Sequence, residues 1–283
     1  MSNVIACIDG SNASPAVCDY AAWASLRMNA PLLLLHVLDK SAYPVQPNLS
    51  GNIGLGSRET LLEELAALDE QRSKLAMEQG RLMLEAAREQ AIANGVADPA
   101  TRQRHGGLVD TLAELECHMR LLVIGKQGTE GDSIGEHIGT HVENVVRTLH
   151  RPILVTTHNY KQPTRIMLAF DGSATTRKGV EMIAASPLFR GLPCHVVMVG
   201  PDTGDQREQL NWAQKTLQDA GFDAPASILA GEVETVLCDY RKEHDMDLLV
   251  MGAYGHSRIR RFLVGSTTTS VIHRANVPVL LLR

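Results

Sequence analysis

The chain has 283 residues, of which 44% are apolar and 21% charged, so it is globular in composition and long enough for two domains. A net charge of −5 would repel a polyanion over long range but leaves local basic patches open, and an aromatic content of 4% gives little support to bases stacked on exposed rings. Five scattered cysteines without a CxxC pair disfavour a disulfide framework, and the lack of a signal sequence or a membrane-length apolar run predicts a cytoplasmic protein.

The most informative feature is an internal repeat. The segment "VIACIDGSNAS" (4–14) returns as "IMLAFDGSATT" (166–176), at an offset of 162 residues. Further on, "RLLVIGKQG" matches "DLLVMGAYG" and "VVRTLHRPILV" matches "VIHRANVPVLL", at offsets of 127 and 126. The repeat predicts two domains, 1–158 and 163–283, joined by the polar linker "THNYKQPT" (157–164).

Each copy alternates short runs of Val, Ile and Leu with helical stretches, which is typical of βαβ units in a parallel sheet covered on both faces. In the second copy, strands are predicted at 165–170, 193–199, 225–230, 247–251 and 278–282. The predicted fold is therefore α/β, with two tandem open parallel five-stranded sheets of the Rossmann-like type.

The first copy carries about 35 additional residues between its second strand and its first glycine turn. This insertion, about 39–94, begins with the loop "SAYPVQPNLSGNIGLGS" and continues as a predicted long helix. Its leucines come close to heptad spacing: Leu61, Leu65, Leu68, Leu75 and Leu82. Two interpretations stay open, a helix packed on its own sheet and a protruding helix that recruits a partner.

The second copy contains the segment "MGAYGHSRIRRFLVGST" (251–267). Gly252 and Gly255 follow a predicted strand, while Gly265 precedes a predicted helix with Ser266 or Thr267 near its N-cap. Glycines let backbone N–H groups approach an anion, and a helix N-terminus adds positive potential. The spacing therefore predicts a phosphate cradle, although two ordinary loop glycines before a helix would give the same pattern.

The interval between these glycines is basic. Arg258, Arg260 and Arg261 are candidates for charge-assisted phosphate contacts, or are simply solvated loop residues. The string is neither a P-loop, because no GxxxxGK[ST] occurs, nor a GxGxxG turn after the first strand.

Taken together, these segments resemble a tandem universal stress protein, two UspA-like domains fused head to tail. The resemblance implies an adenine nucleotide alpha hydrolase-like fold, in which the final strands "RPILV" and "VPVLLLR" help to form an intramolecular pseudo-dimer. It also implies an adenine nucleotide, ATP with Mg²⁺ as its companion, held by the motif G-x2-G-x9-G-[ST]. Asp171 and Val199 would hold the adenosine, and the ribose and phosphates would be held by Gly252, Gly255, Gly265, Ser266 and Thr267.

The first copy departs from this pattern. Its counterpart reads "GKQGTEGDSIGEHIGTH", with ten rather than nine residues between Gly128 and Gly139. Glu130, Asp132 and Glu136 stand where the second copy has arginines, and carboxylates oppose the binding of a triphosphate. We therefore expect a structural or differently liganded half. A degenerate site would use Asp9, Val37, Gly125, Gly128, Gly139 and Thr140.

Other chemistry has weaker support. His137 and His141 have the i, i+4 spacing of a zinc pair, but a glycine and a predicted helix start lie between them. Cys117 and His118 are adjacent, so a helix would direct the two side chains apart. Neither Asp-Gly-Ser serine lies in the G-x-S-x-G turn of serine hydrolases.

Three hypotheses about function follow. The first is a stress-response module whose second domain binds an adenine nucleotide and thereby sets its conformation or its partner. The second is a slow ATPase that uses the same pocket, for which the sequence offers no well-placed general base. The third is a scaffold that binds protein partners or an apolar small molecule, and the long helix is also a candidate surface for a homodimer.

Overall fold

The computed structural model describes residues 2–38, 55–126, 140–253 and 266–283, and of residues 55–63, 140–141 and 266–269 the backbone alone. The strands are β1 (Asn3–Cys7), β2 (Leu32–Leu38), β3 (Ala100–His105), β4 (Met119–Gly125), β5 (Ile153–Thr156), β6 (Ile166–Ala169), β7 (Cys194–Val199), β8 (Ala226–Leu229), β9 (Leu248–Gly252) and β10 (Val279–Leu282). The helices are α1 (Ser14–Met28), α2 (Leu55–Ala93), α3 (Leu108–Leu115), α4 (Thr140–Thr148), α5 (Ala174–Ala185), α6 (Gly204–Asp219), α7 (Val233–Glu243) and α8 (Ser266–Arg274).

The strands form one sheet in the order β3-β2-β1-β4-β5-β10-β9-β6-β7-β8. Each half is parallel throughout and has the same internal order, which confirms the prediction of two tandem five-stranded Rossmann-like sheets. The halves meet at β5 and β10, which pair antiparallel with Val279 opposite Val155 and Leu281 opposite Ile153. The predicted pseudo-dimer is therefore a continuous sheet whose two final strands join.

Alternating side chains of the sheet build a core on each face. Leu154 and Leu280 belong to the core beneath α1, α2, α5 and α6, whereas Ile153 and Leu281 belong to the core beneath α3, α4, α7 and α8. Both cores run across the junction of the halves. Since a fully buried aliphatic side chain contributes about 1.5–3 kcal/mol, the buried residues of β5 and β10 stabilise the junction on both faces.

Side chains from each half also bind the helix ends of the other half. Lys126, directly after β4, donates to the carbonyl of His273 at the end of α8. Arg283, directly after β10, donates from Nε to the carbonyl of Leu149, 2.5 Å away, at the end of α4. The last carbonyls of a helix lack intrahelical donors and carry partial negative charge, so these cations satisfy them across the junction.

Helix α2 packs on the sheet at one end and projects at the other. Its second half packs on α1, β2 and β3 and buries Leu84 and Ala91. Residues 64–79 are exposed or half-buried, and Leu75 has 65% of its surface exposed. The helix is therefore anchored at its C-terminal end and projects at its N-terminal end. The loop at 39–54 lies outside the described residues.

The linker is fixed by one buried carboxylate. Asp247, just before β9, pairs with Lys161 at 2.5 Å and accepts hydrogen bonds from the amides of Thr164 and Arg165 at 3.0 and 3.2 Å. Burial raises the pKa of Asp247, but these hydrogen bonds outweigh it and hold the pKa below its ordinary value. The ionised carboxylate thus ties the linker to the sheet of the second half.

We expect Asp247→Asn to lower the free energy of unfolding by about 2 kcal/mol, because a buried charged acceptor is lost while its donors remain. Since the folded-state pKa is lowered, this contribution is fully present above the unfolded value of about 4 and is lost as the pH falls through the folded value. Urea unfolding of both proteins at several pH values measures the difference. Asp245→Asn is the matched control, because Asp245 is 83% exposed and only weakly paired, and equal losses in the two variants would contradict the assignment.

Candidate functional site

The Asp-Gly-Ser turn of the second half links the end of β6 to the start of α5. Gly172 has a φ of +73°, a left-handed conformation that favours glycine. Ser173 is the N-cap of α5, and its hydroxyl accepts from the Thr176 amide at 3.3 Å. Oδ1 of Asp171 accepts from the Ser173 amide at 3.0 Å and from the Thr176 hydroxyl at 2.6 Å. The carboxylate is therefore held in place beside a helix N-terminus.

The charge of Asp171 follows from these contacts. Partial burial raises the pKa of Asp171, but the hydrogen bonds from Ser173 and Thr176 together outweigh it, so the pKa lies below its ordinary value. The carboxylate is thus anionic at neutral pH. None of these bonds uses Oδ2, the second carboxylate oxygen.

Val199 ends β7 beyond the point where its neighbour β6 has stopped. The pairing of the two strands ends at Ala169 and Val197, and the Phe170 amide donates to the Val197 carbonyl at 2.9 Å. Because backbone groups alternate in direction along a strand, the N–H and C=O of Val199 face the same side as those of Val197. On that side the chain has already left β6 and entered the Asp171 turn. Among the described residues, Val199 therefore has no ladder partner there.

Gly252 ends β9 on the same edge of the sheet. A Cβ at this position would lie 3.5 Å from Cγ2 of Thr175, so the end of β9 lies beside the first turn of α5. Helix α8 begins at Ser266, followed by Thr267, and the side chains of both are outside the described set. The intervening loop, 254–265, is also outside it and contains Gly255, Gly265, Arg258, Arg260 and Arg261.

A cluster that the sequence did not predict borders the turn. The ring of Trp212, on α6, stacks at 6.4 Å from Phe170, and the guanidinium of Arg177 lies 4.9 Å from the Trp212 ring centroid. Arg177 also donates from Nε to the carbonyl of Gly172 at 3.2 Å. Gln209, one turn before Trp212, lies so close to Gly172 that a Cβ there would be 1.6 Å from its Oε1. Helix α6 therefore forms a wall of the site with one aromatic ring and one amide, and Arg177 of α5 adds a cation.

The first half repeats the turn with different neighbours. Oδ1 of Asp9 accepts from the Ser11 amide at 3.0 Å and from the hydroxyls of Ser11 and Ser14 at 2.7 and 2.9 Å. Where α6 supplies a glutamine in the second half, α2 supplies Met83, whose Sδ would be 2.2 Å from a Cβ on Gly10. The first site is therefore bounded by an apolar side chain.

Of the other candidate site residues in the first half, some lie within the described ranges and others lie outside them. Val37 lies near the end of β2, one residue after the buried His36, and Gly125 ends β4. Thr140 is the first residue of α4, and its side chain is outside the described set. The rest of the acidic loop is also outside it: Gly128, Glu130, Asp132, Glu136 and Gly139.

Sequence reasoning missed the hydroxyl that locks each aspartate. Ser14 and Thr176 both lie five residues after the aspartate of their turn, and both donate to its Oδ1. A signal was available, because the pattern D-G-S-x-x-[ST] occurs in both copies of the repeat. The cluster around Trp212 gave no such signal, since α2 and α6 differ in length and sequence.

Two further observations are confined to the described residues. In those ranges, no group of three or more His, Cys, Asp or Glu side chains is placed to hold a metal ion. The side chains of His137 and His141 are outside that set. Within the same part of the chain, no helix has both the length and the apolar character needed to cross a membrane.

The strand order and the turns at the carboxyl edge define a Rossmann-like α/β protein, a class that binds ligands where its parallel strands end. The sequence model of the universal stress protein family matches residues 1–157 and again residues 163–283, so the chain belongs to that family and carries two of its units in tandem.

Individual relatives agree with this assignment. Universal stress protein Slr1230 of Synechocystis is 34% identical over 287 residues, which cover 100% of both chains. A universal stress protein from Archaeoglobus fulgidus shares the fold over 99% of this chain and 95% of its own, with a TM-score of 0.69 at 17% identity. A shorter one from Archaeoglobus fulgidus, solved in complex with dAMP, is 25% identical and covers 42% of this chain and 98% of its own. Its TM-score of 0.35 is too low to indicate the ligand of this chain.

We expect Thr176→Val to raise the pKa of Asp171, because the substitution removes a hydrogen bond to the ionised form and keeps the shape of the side chain. Carboxyl ¹³C chemical shifts measured against pH report the change. Thr175→Val is the matched control, since the neighbouring hydroxyl is not among the donors to Asp171 described above. An unchanged pKa in Thr176→Val would show that this hydroxyl does not hold the carboxylate.

Proposed function

We propose that the second half binds an adenine nucleotide, ATP with its companion Mg²⁺, and that occupancy sets the conformation or partner choice of this stress-response protein. The observation that carries the proposal is the juxtaposition of Val199 and Asp171. Among the described residues, the backbone N–H and C=O of Val199 have no ladder partner on the side of β6, and they adjoin an anionic carboxylate at the carboxyl edge of the sheet. Together these groups supply a donor and an acceptor for the edge of an adenine and a charged acceptor for a ribose hydroxyl.

The proposed binding mode assigns a part of the ligand to each group. The edge of the adenine, which presents both a donor and an acceptor, hydrogen-bonds to the backbone of Val199. A ribose hydroxyl donates to Oδ2 of Asp171, the oxygen that the Ser173 amide and the Thr176 hydroxyl do not use. The phosphates lie at the N-terminus of α8, where backbone N–H groups and the helix dipole favour anions. The motif residues proposed for the ribose and phosphates are Gly252, Gly255, Gly265, Ser266 and Thr267.

The two halves are proposed to differ in occupancy. Their aspartate turns are alike, but the first half has three carboxylates in the loop where the second half has three arginines. A triphosphate is repelled by the first loop and attracted by the second. Met83 also replaces the polar wall that Gln209 gives the second site. We therefore propose one nucleotide per chain.

Efficient hydrolysis is not part of the proposal. Phosphoryl transfer to water requires a positioned water molecule as well as stabilisation of the phosphate charge. The second site supplies groups that stabilise phosphate charge, and a nucleotide-binding module needs no more. A slow ATPase remains an outcome that the experiment below distinguishes.

We expect Asp171→Ala to weaken ATP binding at least about tenfold, because the ligand loses a hydrogen bond to a charged group. Asp9→Ala, the same change in the first half, leaves the affinity unaltered and is the matched control. Isothermal titration calorimetry with ATP and Mg²⁺ gives both affinities and a stoichiometry near one. Circular dichroism verifies that each variant is folded.

Any other result of these measurements would contradict part of the proposal. Equal losses in the two variants would reject the assignment to the second half, and a stoichiometry of two would reject the role of the acidic loop. No binding by the unaltered chain would favour the scaffold hypothesis. Phosphate release that Gly265→Asp abolishes would identify an ATPase rather than a binding module.

A further inference from the structure

The projecting part of α2 carries a leucine at every seventh position, Leu61, Leu68, Leu75 and Leu82. The last three are 42%, 65% and 52% exposed, so these three face solvent. We refer to Leu68, Leu75 and Leu82 as the leucine row. A spacing of seven residues keeps side chains on one side of a helix for several turns, which is the pattern of a two-stranded coiled coil.

The leucine row is on the side of α2 that faces away from the body of the protein. Leu84, which is 5% exposed, packs into the core beneath α1 and α2. Leu75 and Leu82 lie about 180–200° around the helix from Leu84, at about 100° per residue. A second helix can therefore lie along the row without displacing any contact that anchors α2.

The exposure of this segment needs a physical explanation. Residues 64–79 contact little of the body, and an isolated helix of that length is marginal in water. Its long apolar side chains gain free energy from the hydrophobic effect only when they are buried. The row is therefore most stable against another apolar helix.

Charges along residues 64–79 indicate which helix would pack against the leucine row. Lys74 pairs with Glu70 at 2.7 Å, and Arg81 pairs with Glu78 at 2.8 Å and with Glu85 at 2.9 Å, all within α2. Among the described residues, these intrahelical ion pairs do not include Asp69 or Arg72. Asp69 and Arg72, beside the leucine row, therefore remain available to a partner with the complementary pair.

A second copy of the same helix supplies that pair. With the leucine row at heptad positions d, Arg72 is at a, Asp69 at e and Glu64 at g. A parallel pair would place Arg72 against Arg72 of the second copy and Glu64 beside its Asp69, both repulsive. An antiparallel pair centred near residue 70 places Arg72 beside Leu68 and Asp69 of the second copy. The two Asp69 carboxylates then lie close to each other, but each has an Arg72 guanidinium of the other copy beside it.

We infer that two chains associate through the projecting part of α2, as an antiparallel two-stranded coiled coil. In this arrangement Leu65 packs against Leu75 of the second copy, and the Arg72–Asp69 ion pair forms twice by symmetry. The contact is isologous, as in most homodimers, and uses no residue of the nucleotide site.

Sedimentation equilibrium of the full chain at tens of micromolar tests the association. The expected mass is twice 30.8 kDa for the unaltered chain. Leu75→Glu should weaken the dimer at least about tenfold, because a charge replaces the apolar side chain that packs against Leu65 of the second copy. Met77→Glu is the matched control, since Met77 is 47% exposed on the opposite side of the segment, and this variant should remain dimeric.

Cysteine pairs test the orientation, in chains whose Cys117 and Cys238 are replaced by serine. Leu65→Cys combined with Leu75→Cys should crosslink two antiparallel chains under mild oxidation, whereas Leu65→Cys alone should not. Efficient crosslinking by Leu65→Cys alone would indicate a parallel pair and overturn the arrangement. A monomeric unaltered chain, or a dimer that Leu75→Glu leaves intact, would overturn the association itself.

Discussion

The antiparallel pairing of β5 with β10 is the contact on which the rest of the structure depends. Without it, each half would present an edge strand whose side chains are apolar on both faces, an arrangement that promotes aggregation. The pairing turns two exposed edges into the middle of one sheet and lets each core continue from one half into the other. It also brings Lys126 and Arg283 to the helix ends that they satisfy.

The junction leaves both carboxyl edges available, and the halves use them differently. The aspartate turns are nearly the same, since each carboxylate accepts hydrogen bonds from a backbone amide and from a hydroxyl five residues later. What differs is the surroundings, where a methionine and an acidic loop replace a glutamine, a cation and a basic loop. The two halves thus share the local geometry of the turn but differ in their electrostatics, which is why we assign the two sites different occupancies.

Much of this arrangement could be predicted from the sequence. The five predicted strands of the second half agree with the observed ones to within one residue at each end, because short apolar runs bounded by turns leave little freedom. The cross-junction caps could not be predicted, because Lys126 corresponds to Ala253 and Arg283 to Thr157, so the repeat gives no hint of them. Whether α2 packs or projects was equally open, since its heptad pattern is compatible with burial against a sheet or against another helix.

The anchored linker has a consequence for how the protein responds to dilution. If the two halves were separate chains, the fraction of each bound to the other would depend on the concentrations of both and on their mutual affinity. Here the linker covalently joins one half of each kind, and Asp247 fixes that linker to the sheet. The effective concentration of one half around the other is therefore set by the chain and not by its abundance. A cell that makes very few copies of this protein still has every copy as the same asymmetric pair, with one acidic and one basic loop.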